Sequence, residues 1–348
     1  MDAGRTVTVF GAYGHTGRFV VAELLERGLT PILVGRDPGR LGALLVTLPM
    51  GLEARPAFVE DADSLDAALY GATAVINCAG PFADTAAPVI EAALRARIPY
   101  VDIAAEIEAV AGTLAHFDAR AREAGTAVVP GMAFHGGLGD LLATAALAEL
   151  PSADEVFLAY ALSSWHPTPG TRASGRVSRQ RRGDRRPVYT DGRLELRTGQ
   201  APAGRWRFPE PVGERDVLEE FTTADSVTIP HHLTAPVIHT CMTVEAVRDL
   251  AAPDTPPPTP ADASGRSAQT FLVDVVVRSG TERRRAVARG RDIYATSALL
   301  AVEAVVRLLG GRIRDGRAHA AGAASAGEMF DAVGFLRSLS GRLSFSLV

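Results

Sequence analysis

The glycines between residues 11 and 17 have the spacing of a dinucleotide-binding turn. Gly11-Ala12-Tyr13-Gly14-His15-Thr16-Gly17 follows a short apolar run, Val7 to Phe10, and precedes a helical pattern that begins at Arg18. In this context the first glycine permits a tight turn, the second lets backbone approach a pyrophosphate, and the third lets the helix lie close to the strand. Helix amides attract anions. The segment therefore predicts a phosphate-binding loop rather than an ordinary strand-to-helix turn.

The residue after the second predicted strand indicates whether the cofactor is NAD or NADP. The strand Pro31 to Val34 ends at Gly35, and Arg36 stands where NAD-binding domains usually carry an acidic residue. A guanidinium pairs with a 2′-phosphate and stacks on adenine, and Arg40 adds a second positive charge. We therefore expect NADP(H). The alternative is that Arg36 is a solvated loop charge and that Asp37 binds the ribose.

A further small-residue loop follows the strand that contains Val75 and Ile76. Asn77-Cys78-Ala79-Gly80-Pro81-Phe82 leaves the carboxyl end of that strand with little side chain. Ligands of open parallel sheets bind at those ends, so we expect the nicotinamide ribose to lie over Ala79 to Pro81, within reach of Asn77. The predicted cofactor-binding residues are Gly11, Tyr13, Gly14, His15, Thr16, Gly17, Arg36, Asn77, Ala79, Gly80, Pro81 and Phe82.

His135 is the candidate for acid–base work in the first half of the chain. It lies in a glycine-rich loop, residues 130–140, that follows the strand Ala127 to Val129 at the edge where ligands bind. Hydride transfer needs a proton donor or an orienting group besides the cofactor. Two roles stay open for His135: facing the substrate in that capacity, or packing within the loop. Asp140 is expected to cap the helix that follows or to lie in its first turn.

Two adjacent histidines are the candidates from the second half. His231 and His232 lie at what the pattern indicates is a strand-like turn, so only one of them would face a given side. With His135 they complete the predicted catalytic set. Tyr160 and Tyr294 carry hydroxyls that fit either proton donation or the boundary of the core.

A dense group of arginines occupies residues 171–186. A run of like charge is usually a solvated face, and we favour that interpretation. The alternative is that the run recruits an anionic substrate or the acidic face of a carrier protein. Its members are Arg172, Arg176, Arg179, Arg181, Arg182, Arg185 and Arg186.

The composition limits the class of protein. A formal net charge of -4 over 348 residues argues against general nucleic-acid affinity. Cys78 and Cys241 are far apart, which fits neither a disulfide framework nor a metal-ligand spacing. The N-terminus enters the first predicted strand without a signal peptide, and no apolar run is long enough to span a bilayer. We expect a cytoplasmic protein with a small-molecule substrate and no metal, membrane span or nucleic-acid partner; a homodimer is left open.

Strands and helices alternate through the first 150 residues. The predicted strands are residues 7–10, 31–34, 57–59, 75–76, 100–103 and 127–129, and the predicted helices are residues 18–25, 38–48, 64–69, 87–97, 107–124 and 141–149. Six repeats of this alternation predict an α/β fold with a Rossmann-type, doubly wound parallel sheet.

The pattern changes after Ser152. Later strands have no helices of comparable length between them, which predicts an inserted and mostly antiparallel α+β domain, and the Pro-rich segment 253–264 is expected to be a loop. The predicted strands are residues 156–162, 188–189, 194–196, 206–208, 226–229, 237–243, 270–278 and 283–288.

One strongly apolar helix, Tyr294 to Leu309, follows this sheet and ends at Gly310-Gly311. It is apolar on most faces and so needs burial on two sides, which suggests that it packs on the first domain. The predicted domains are residues 1–150 with 290–348, forming a discontinuous nucleotide-binding domain, and residues 151–289, forming the substrate domain.

Three motifs together resemble the saccharopine dehydrogenase-like oxidoreductase family, and in particular the bacterial branch that includes trans-acting enoyl reductases. They are residues 9–17 (VFGAYGHTG), 77–82 (NCAGPF) and 100–106 (YVDIAAE). Residues 170–174, 266–269 and 290–295 also look like that branch, so the resemblance covers nearly the whole chain. It implies a Rossmann domain, an inserted sheet domain and NADP-dependent hydride transfer.

Two departures from the family pattern concern the substrate. The loop 130–140 reads PGMAFHGGLGD here, where relatives often carry a PGFDSVPSD-like sequence, and Pro230-His231-His232 stands where relatives often have an arginine. The varied substrates of the family therefore do not carry over to this chain.

The predicted function is NADPH-dependent reduction of a C=C or C=N bond in a cleft between the domains. The substrate would be a small metabolite, free or bound to a carrier, and enoyl and imine reduction are not distinguished by the residues. Because a Rossmann domain can bind a cofactor without using it, two alternatives stay open. One is a non-catalytic NADP-binding regulator, and the other is an enzyme that retains NADP structurally while its pocket does non-redox chemistry.

Overall fold

In the computed structural model of the chain, residues 6–314 and 320–348 are described. The first half alternates strands and helices as expected. Its elements are β1 (Thr6–Phe10), α1 (His15–Glu26), β2 (Thr30–Gly35), α2 (Pro38–Leu45), β3 (Glu53–Pro56), α3 (Ala62–Leu69), β4 (Ala74–Asn77), α4 (Phe82–Ala96), β5 (Tyr100–Asp102), α5 (Ile107–Ala124), β6 (Ala127–Val129) and α6 (Gly137–Leu147).

The second half is dominated by strands. Its elements are β7 (Glu155–Leu162), α7 (Pro169–Arg182), β8 (Arg186–Thr190), β9 (Arg193–Arg197), β10 (Ala203–Arg207), β11 (Glu214–Glu219), α8 (Asp225–Thr228), a 3₁₀ turn (Ile229–His231), β12 (Val237–Thr243), α9 (Val244–Ala251), β13 (Thr270–Ser279), β14 (Glu282–Arg291), α10 (Ile293–Leu309), β15 (Gly322–Ala323), α11 (Ala326–Met329), α12 (Ala332–Ser338) and β16 (Leu343–Leu347).

The first sheet is parallel, with strand order β15-β6-β5-β4-β1-β2-β3 in the described residues. The order reverses between β1 and β4, where Val9 lies beside both Leu33 of β2 and Ile76 of β4. Buried apolar side chains of α1, α2 and α10 cover one face, and those of α3, α4 and α5 cover the other. The predicted Rossmann-type doubly wound sheet is confirmed, and its switch point at β1 and β4 is where such sheets bind ligands.

The second sheet has strand order β10-β11-β12-β7-β13-β14-β16, with the hairpin β8–β9 attached to β12. Its pairs are antiparallel except for β7 and β12, which run parallel. The expectation of a second, mostly antiparallel sheet is therefore confirmed. Within the described ranges, no helix is both long and apolar enough to cross a membrane.

Helix α6 joins the two sheets. All of its residues are buried, because β13 and β14 of the second sheet pack on one side of it and α11 and α12 pack on another. A helix enclosed in this way is expected to be mainly apolar all round, and its one charged side chain, Asp140, is paired with His232. The loop that begins α6, residues 130–136, is thus fixed between the two halves of the molecule.

The chain returns to the first half after β14. Helix α10 packs against α1 and contacts β4 and β5, and β15 extends the first sheet beside β6. Strand β16, however, pairs with β14 in the second sheet. The predicted boundary that assigns residues 290–348 wholly to the first domain therefore misplaces β16, because its backbone hydrogen bonds are made with the second sheet.

Three local predictions were wrong. The third strand covers residues 53–56 rather than 57–59, because it is a half-exposed edge strand paired with β2 and lacks an apolar signal. Residues 226–229 were expected to form a strand, yet they form helix α8 and the start of the 3₁₀ turn, since packing against α5 and α6 overrides their β-branched composition. The expectation that no helix of comparable length separates the later strands fails at α7, which includes part of the arginine-rich segment and lies between β7 and β8.

Candidate cofactor and substrate site

The glycine turn between β1 and α1 is closed by backbone hydrogen bonds. The Gly11 and Ala12 amides donate to the Val34 carbonyl over 2.8 and 3.1 Å, and the Gly14 amide donates to the Gly11 carbonyl over 2.9 Å. Gly11 has φ of 84°, which is a left-handed conformation that favours glycine. The turn is thus held in one geometry at the switch point of the sheet.

Gly17 sets the distance between α1 and this turn. A Cβ atom there would lie 2.2 Å from the Gly11 carbonyl oxygen. Helix α1 begins at His15 with no side-chain cap and no acidic residue in its first turn, so the amides around His15, Thr16 and Gly17 face the turn without a protein counter-charge. This arrangement fits the diphosphate of a dinucleotide.

The His15 imidazole lies at the start of α1 beside the second half of the chain. Its ring makes edge contacts with Phe19 and with Tyr294 of α10, with centroid distances of 5.3 and 5.1 Å. Burial lowers the pKa of His15, partly opposed by the Asp292 carboxylate. Nε2 is buried and has no hydrogen-bond partner among the described residues, so it can turn to a ligand at the turn.

Two arginines and an aromatic ring lie where the adenosine end of a dinucleotide is expected. The Arg40 guanidinium sits 4.3 Å from the centroid of the Tyr13 ring, and the same ring covers Gly35, where an added Cβ would be 2.5 Å away. Arg36 is exposed at the end of β2. The Asp37 carboxylate caps α2 by accepting from the Arg40 amide over 3.0 Å. The residues therefore fit a 2′-phosphate better than a free 2′-hydroxyl.

Asn77 has a different role from the predicted one. Its side chain is fully buried and donates to Thr85 Oγ1 and Tyr100 Oη, while its oxygen accepts from the Ala79 amide over 3.0 Å. Thr85 also holds the Ala79 carbonyl over 2.5 Å. Because these bonds use the whole amide, Asn77 shapes the loop 79–82 from below, and the surface offered to a nicotinamide is that of Ala79, Gly80 and Pro81.

A buried carboxylate, Asp102, links the residues beneath the loop 79–82 to the loop 130–136. Asp102 accepts from Tyr100 Oη over 2.8 Å and from the amides of Ala104 and Gly131 over 3.0 and 2.7 Å. Burial raises the pKa of Asp102 to about 6, against which the two backbone bonds act. Glu106 accepts from the amides of Phe82 and Ala83 and so caps α4. Sequence reasoning quoted these acids in a motif but gave them no role.

His135 is enclosed by aromatic rings. Phe134, Tyr160 and Trp165 lie at centroid distances of 4.8, 4.9 and 5.3 Å from its imidazole. The side chain is buried, and neither ring nitrogen has a hydrogen-bond partner among the described residues. Burial lowers the pKa of His135 to about 3. The imidazole is therefore neutral at physiological pH, so it can exchange hydrogen bonds with a ligand but carries no spare proton.

Asp225 fixes the loop that carries His135. It accepts from the Gly136 amide over 3.0 Å and from Tyr160 Oη over 2.7 Å, and Thr223 donates to the same carboxylate. A Cβ at Gly139 would lie 2.0 Å from Asp225 Oδ1, so that glycine makes room for the carboxylate. Burial raises the pKa of Asp225 to about 6. The hydroxyl of Tyr160 is thereby committed to Asp225.

His231 and His232 do not line the loop that carries His135. His232 Nε2 lies 2.7 Å from Asp140 Oδ1, and the other Asp140 oxygen accepts from the Gly327 amide over 2.8 Å. His231 Nδ1 lies 2.8 Å from Glu328 Oε2, which raises its pKa. Both rings thus bind acidic partners on α6 and α11, beside the edge strand β15. Their predicted catalytic role is replaced by a structural one. Asp140 lies in the first turn of α6, which is one of its two expected positions, and also anchors α11.

Helix α7 lies over the loop 79–82. A Cβ at Gly80 would meet Ser174 Oγ at 2.9 Å. Arg181 pairs with Asp84 of α4 over 2.9 Å, and Arg182 lies 3.4 Å from Glu108 of α5. Arg176 and Arg179 are exposed on the other side. The arginine run was predicted to be a solvated face. In the structure, one side of it holds the second domain over the first.

The Tyr294 hydroxyl anchors the start of α7. It lies 3.1 Å from Thr171 Oγ1, accepts from the Thr168 amide over 3.2 Å and donates to the His166 carbonyl over 3.2 Å. Its ring touches His15 as described. Tyr294 is therefore a direct link between the glycine turn and the helix that covers the loop 79–82. Within the described residues, no group of three or more His, Cys, Asp or Glu side chains could hold a metal ion.

Comparison with known proteins supports this description of the first domain. Residues 7–129 match the family model described as the saccharopine dehydrogenase NADP binding domain. A probable mitochondrial saccharopine dehydrogenase-like oxidoreductase of Arabidopsis thaliana is 31% identical over 142 residues, which cover 37% of this chain and 31% of that relative. The match thus spans about a third of the curated relative's length.

Two solved structures share the fold over almost the whole chain. Apo saccharopine dehydrogenase (L-Glu forming) from Saccharomyces cerevisiae superposes with a TM-score of 0.67 at 13% identity, covering 99% of this chain and 100% of that one. Amine dehydrogenase from Mycobacterium smegmatis superposes with a TM-score of 0.52 at 12% identity, covering 93% and 96%. At these identities the likeness concerns the fold alone. Residues 7–129 thus match a saccharopine dehydrogenase NADP binding domain by sequence, and the geometry of the glycine turn agrees with NADP(H) as the cofactor.

Proposed function

We propose that this protein is an NADP-dependent oxidoreductase that reduces a C=N or C=C bond in the cleft between its domains. The observation that carries the proposal is the enclosure of the loop 79–82. Gly80 is in contact range of Ser174 on α7, and Asp102 links the residues beneath it to Gly131 of the His135 loop. A binding regulator would not require such an enclosure over the nicotinamide end.

The chain provides binding and orientation, and the bound cofactor would supply the hydride. The turn 11–17 would hold the diphosphate and Arg36 the 2′-phosphate. Asn77 and Thr85 keep the Ala79 carbonyl and amide in place, so the backbone against which a nicotinamide lies is fixed in advance. Closure of α7 over this loop would exclude water from the reacting atoms.

His135 is the side chain we assign to the substrate. A buried imidazole without hydrogen bonds is costly unless a ligand satisfies it, and its aromatic surroundings favour an apolar substrate with one polar atom. With a pKa of about 3, His135 stays neutral and orients the polar atom of the substrate by a hydrogen bond. The proton that completes the reduction then comes from another group or from water.

The names of the two full-length structural neighbours both refer to carbon–nitrogen chemistry. This supports testing imines first, with enoyl compounds as the second class, each free or bound to a carrier. Cys78 and Cys241 are free thiols, which supports the proposed reducing, cytoplasmic setting. A homodimer stays a proposal, to be tested by solution mass.

The deciding experiment uses NADPH deuterated at C4 of the nicotinamide. Panels of cyclic imines, of primary amines with carbonyl partners, and of enoyl thioesters are incubated with the protein, and products are analysed by mass spectrometry. Deuterium on carbon of the product supports the proposal and identifies the bond. If NADPH binds but no panel shows transfer, the regulator becomes the better explanation. If the protein also turns over another reaction without consuming its bound NADPH, the non-redox enzyme does.

A further inference from the structure

The outer face of the second sheet carries a cavity that is separate from the cofactor site. It has a volume of about 410 Å³, which is within the range of small-molecule sites. Phe157 of β7 lies beside His239 of β12, on the side of the sheet opposite to Leu158, which packs into the core with α6. The residues that line the cavity come from the second sheet and its loops, not from the glycine turn or the His135 loop.

Three rings form one wall of this cavity. The rings of Phe157 and His239 are stacked, with centroids 4.5 Å apart and an interplanar angle of 16°. The Trp206 ring lies 5.9 Å from Phe157, and its indole nitrogen donates to Asp274 over 2.7 Å. Because this bond fixes the indole, the aromatic wall is preformed.

The hairpin β8–β9 forms the opposite wall. It joins the sheet through a single pair, Tyr189 with Ile238, so most of the hairpin stands away from β12 and leaves the space between them. Its position is fixed by Glu220, which pairs with Arg186 and Arg197 over 2.6 Å each. Both arginines at that end of the cavity are thus already paired with a carboxylate.

One carboxylate in the lining is not neutralised. Arg205 pairs with Glu214 over 2.9 Å, whereas the Glu219 carboxylate has neither a hydrogen bond nor an ion pair in the part of the chain that the structure describes. It lies across Gly204, where an added Cβ would be 2.2 Å from Glu219 Oε1. The glycine thus leaves room for the carboxylate at the end of the aromatic wall.

We propose that this cavity binds a small organic cation, an ammonium group carried on an aromatic or aliphatic body. The faces of aromatic rings attract cations, and Glu219 supplies the counter-charge. An anion would find only arginines that already have carboxylate partners. Burial, with help from the Glu219 and Asp274 carboxylates, raises the pKa of Cys241 to about 12, so the thiol in the floor stays protonated and binding is reversible.

The test compares three probes of one shape and different charge. Phenethylamine, 2-phenylethanol and 3-phenylpropionate are titrated into the full chain at saturating NADPH, with calorimetry or ligand-observed NMR as the readout. We expect phenethylamine to bind about three- to tenfold more tightly than the alcohol, from one cation–aromatic contact and one partly solvated ion pair. The carboxylate should bind most weakly.

Variants locate the site. Glu219→Gln should reduce the preference for phenethylamine over 2-phenylethanol to the part that the cation–aromatic contact provides, and Trp206→Leu should weaken the binding of both, while NADPH binding stays unchanged. Glu282→Gln, an exposed carboxylate of the second sheet that pairs with Arg284 outside the cavity lining, is the matched control and should bind phenethylamine as the parent does. Equal affinities for the three probes, an unchanged Glu219→Gln, or displacement of NADPH by phenethylamine would each overturn the proposal. None of these readouts depends on the redox activity.

Discussion

The glycine turn and helix α7 approach the loop 79–82 from opposite sides, yet they are held by different forces. A Cβ at Gly11 would meet the Ala79 amide at 3.0 Å, and one at Gly80 would meet Ser174 Oγ at 2.9 Å. The turn is fixed by backbone bonds and by close packing. Helix α7 is fixed by hydroxyls around Tyr294 and by ion pairs whose members are partly exposed.

This difference separates cofactor binding from substrate access. A backbone clash cannot be relieved by moving a side chain, whereas exposed ion pairs contribute only about 0.2–1 kcal/mol each. We infer that the turn is the rigid half of the site and that α7 is the half that opens. The following variants test this contrast, from the largest expected effect to the smallest.

Gly17→Ala should abolish saturable NADPH binding. The new methyl group would lie 2.2 Å from the Gly11 carbonyl oxygen, so α1 must move away from the turn and its amides leave the diphosphate. Fluorescence titration of NADPH measures the effect. Gly42→Ala, in α2 where an added Cβ meets nothing within 4 Å, is the control and should bind normally. Normal binding by Gly17→Ala would show that the turn is not rigid.

His135→Ala should lower kcat about 10²- to 10³-fold on the true substrate, the range for loss of one positioned hydrogen bond to the reacting group. Its affinity for NADPH should stay the same. Because the pKa of His135 is about 3, the variant and the parent should share the shape of their kcat–pH profiles between pH 5 and 9. Normal turnover by His135→Phe would show that the imidazole only packs within its loop.

Arg36→Ala should weaken NADP binding about ten- to a hundredfold and leave NAD binding almost unchanged. The lost interaction is a charge-assisted pair with the 2′-phosphate, worth about 1.5–3 kcal/mol. Parallel calorimetric titrations with the two cofactors measure the ratio, and Arg215→Ala provides an exposed arginine away from the turn as a control. Equal losses for both cofactors would contradict the assignment.

One buried carboxylate in each half should make stability depend on pH in an unusual direction. Burial raises the pKa values of Asp102 and Asp225 to about 6 in the folded protein, above the ordinary aspartate value of 3.8. Between about pH 6 and pH 4 the folded state therefore binds protons that the unfolded state does not, so the contribution of these two groups becomes more favourable as the pH falls. Calorimetric scans from pH 7 to 5 should show this contribution flattened in Asp102→Asn and Asp225→Asn. Identical pH slopes in parent and variants would refute it.

The double variant Arg181→Gln, Arg182→Gln should lower stability by less than about 1 kcal/mol, because both pairs are partly exposed. The same change should increase cleavage of α7 by a protease, and 0.5 M salt should produce a similar increase in the parent by screening. Tyr294→Phe, which removes the hydroxyl anchor, should have the larger effect on cleavage. Unchanged cleavage in all variants would mean that α7 is not the part that opens.

The glycine turn was predictable because its backbone conformation requires glycine at specific positions, so the spacing of the glycines indicates the turn. Gly11 is required by its positive φ, and Gly17 by the close approach of the Gly11 carbonyl. The apolar strands around them are visible as short apolar runs in the sequence. Asn77 was misplaced because its partners, Thr85 and Tyr100, are brought to it by two other elements. His231 and His232 were misplaced for a similar reason, since Asp140 and Glu328 come from helices that no local pattern connects.

Helix α7 illustrates a second limit of prediction from the sequence. Its charges looked like a solvated surface, because a local pattern carries no information on which acids the fold places opposite them. Asp84 and Glu108 belong to the first half of the chain, whereas their partners Arg181 and Arg182 belong to the second. Only the packing of the two halves brings these pairs together.

The late return of α10 and β15 has a consequence for how the molecule is made. Helix α6 ends at Leu147 and α10 begins at Ile293, so a nascent chain emerges with the outer side of α1 uncovered until the second sheet has been synthesised. Glu23 and Arg27 of α1 pair with Arg342 and Glu303, and these partners too arrive late. Contacts this distant in sequence close slowly and leave apolar surface exposed meanwhile. The packing around the glycine turn and the helix behind it is therefore completed only after the second sheet has been synthesised, and retention of NADPH reports that both sheets have been assembled.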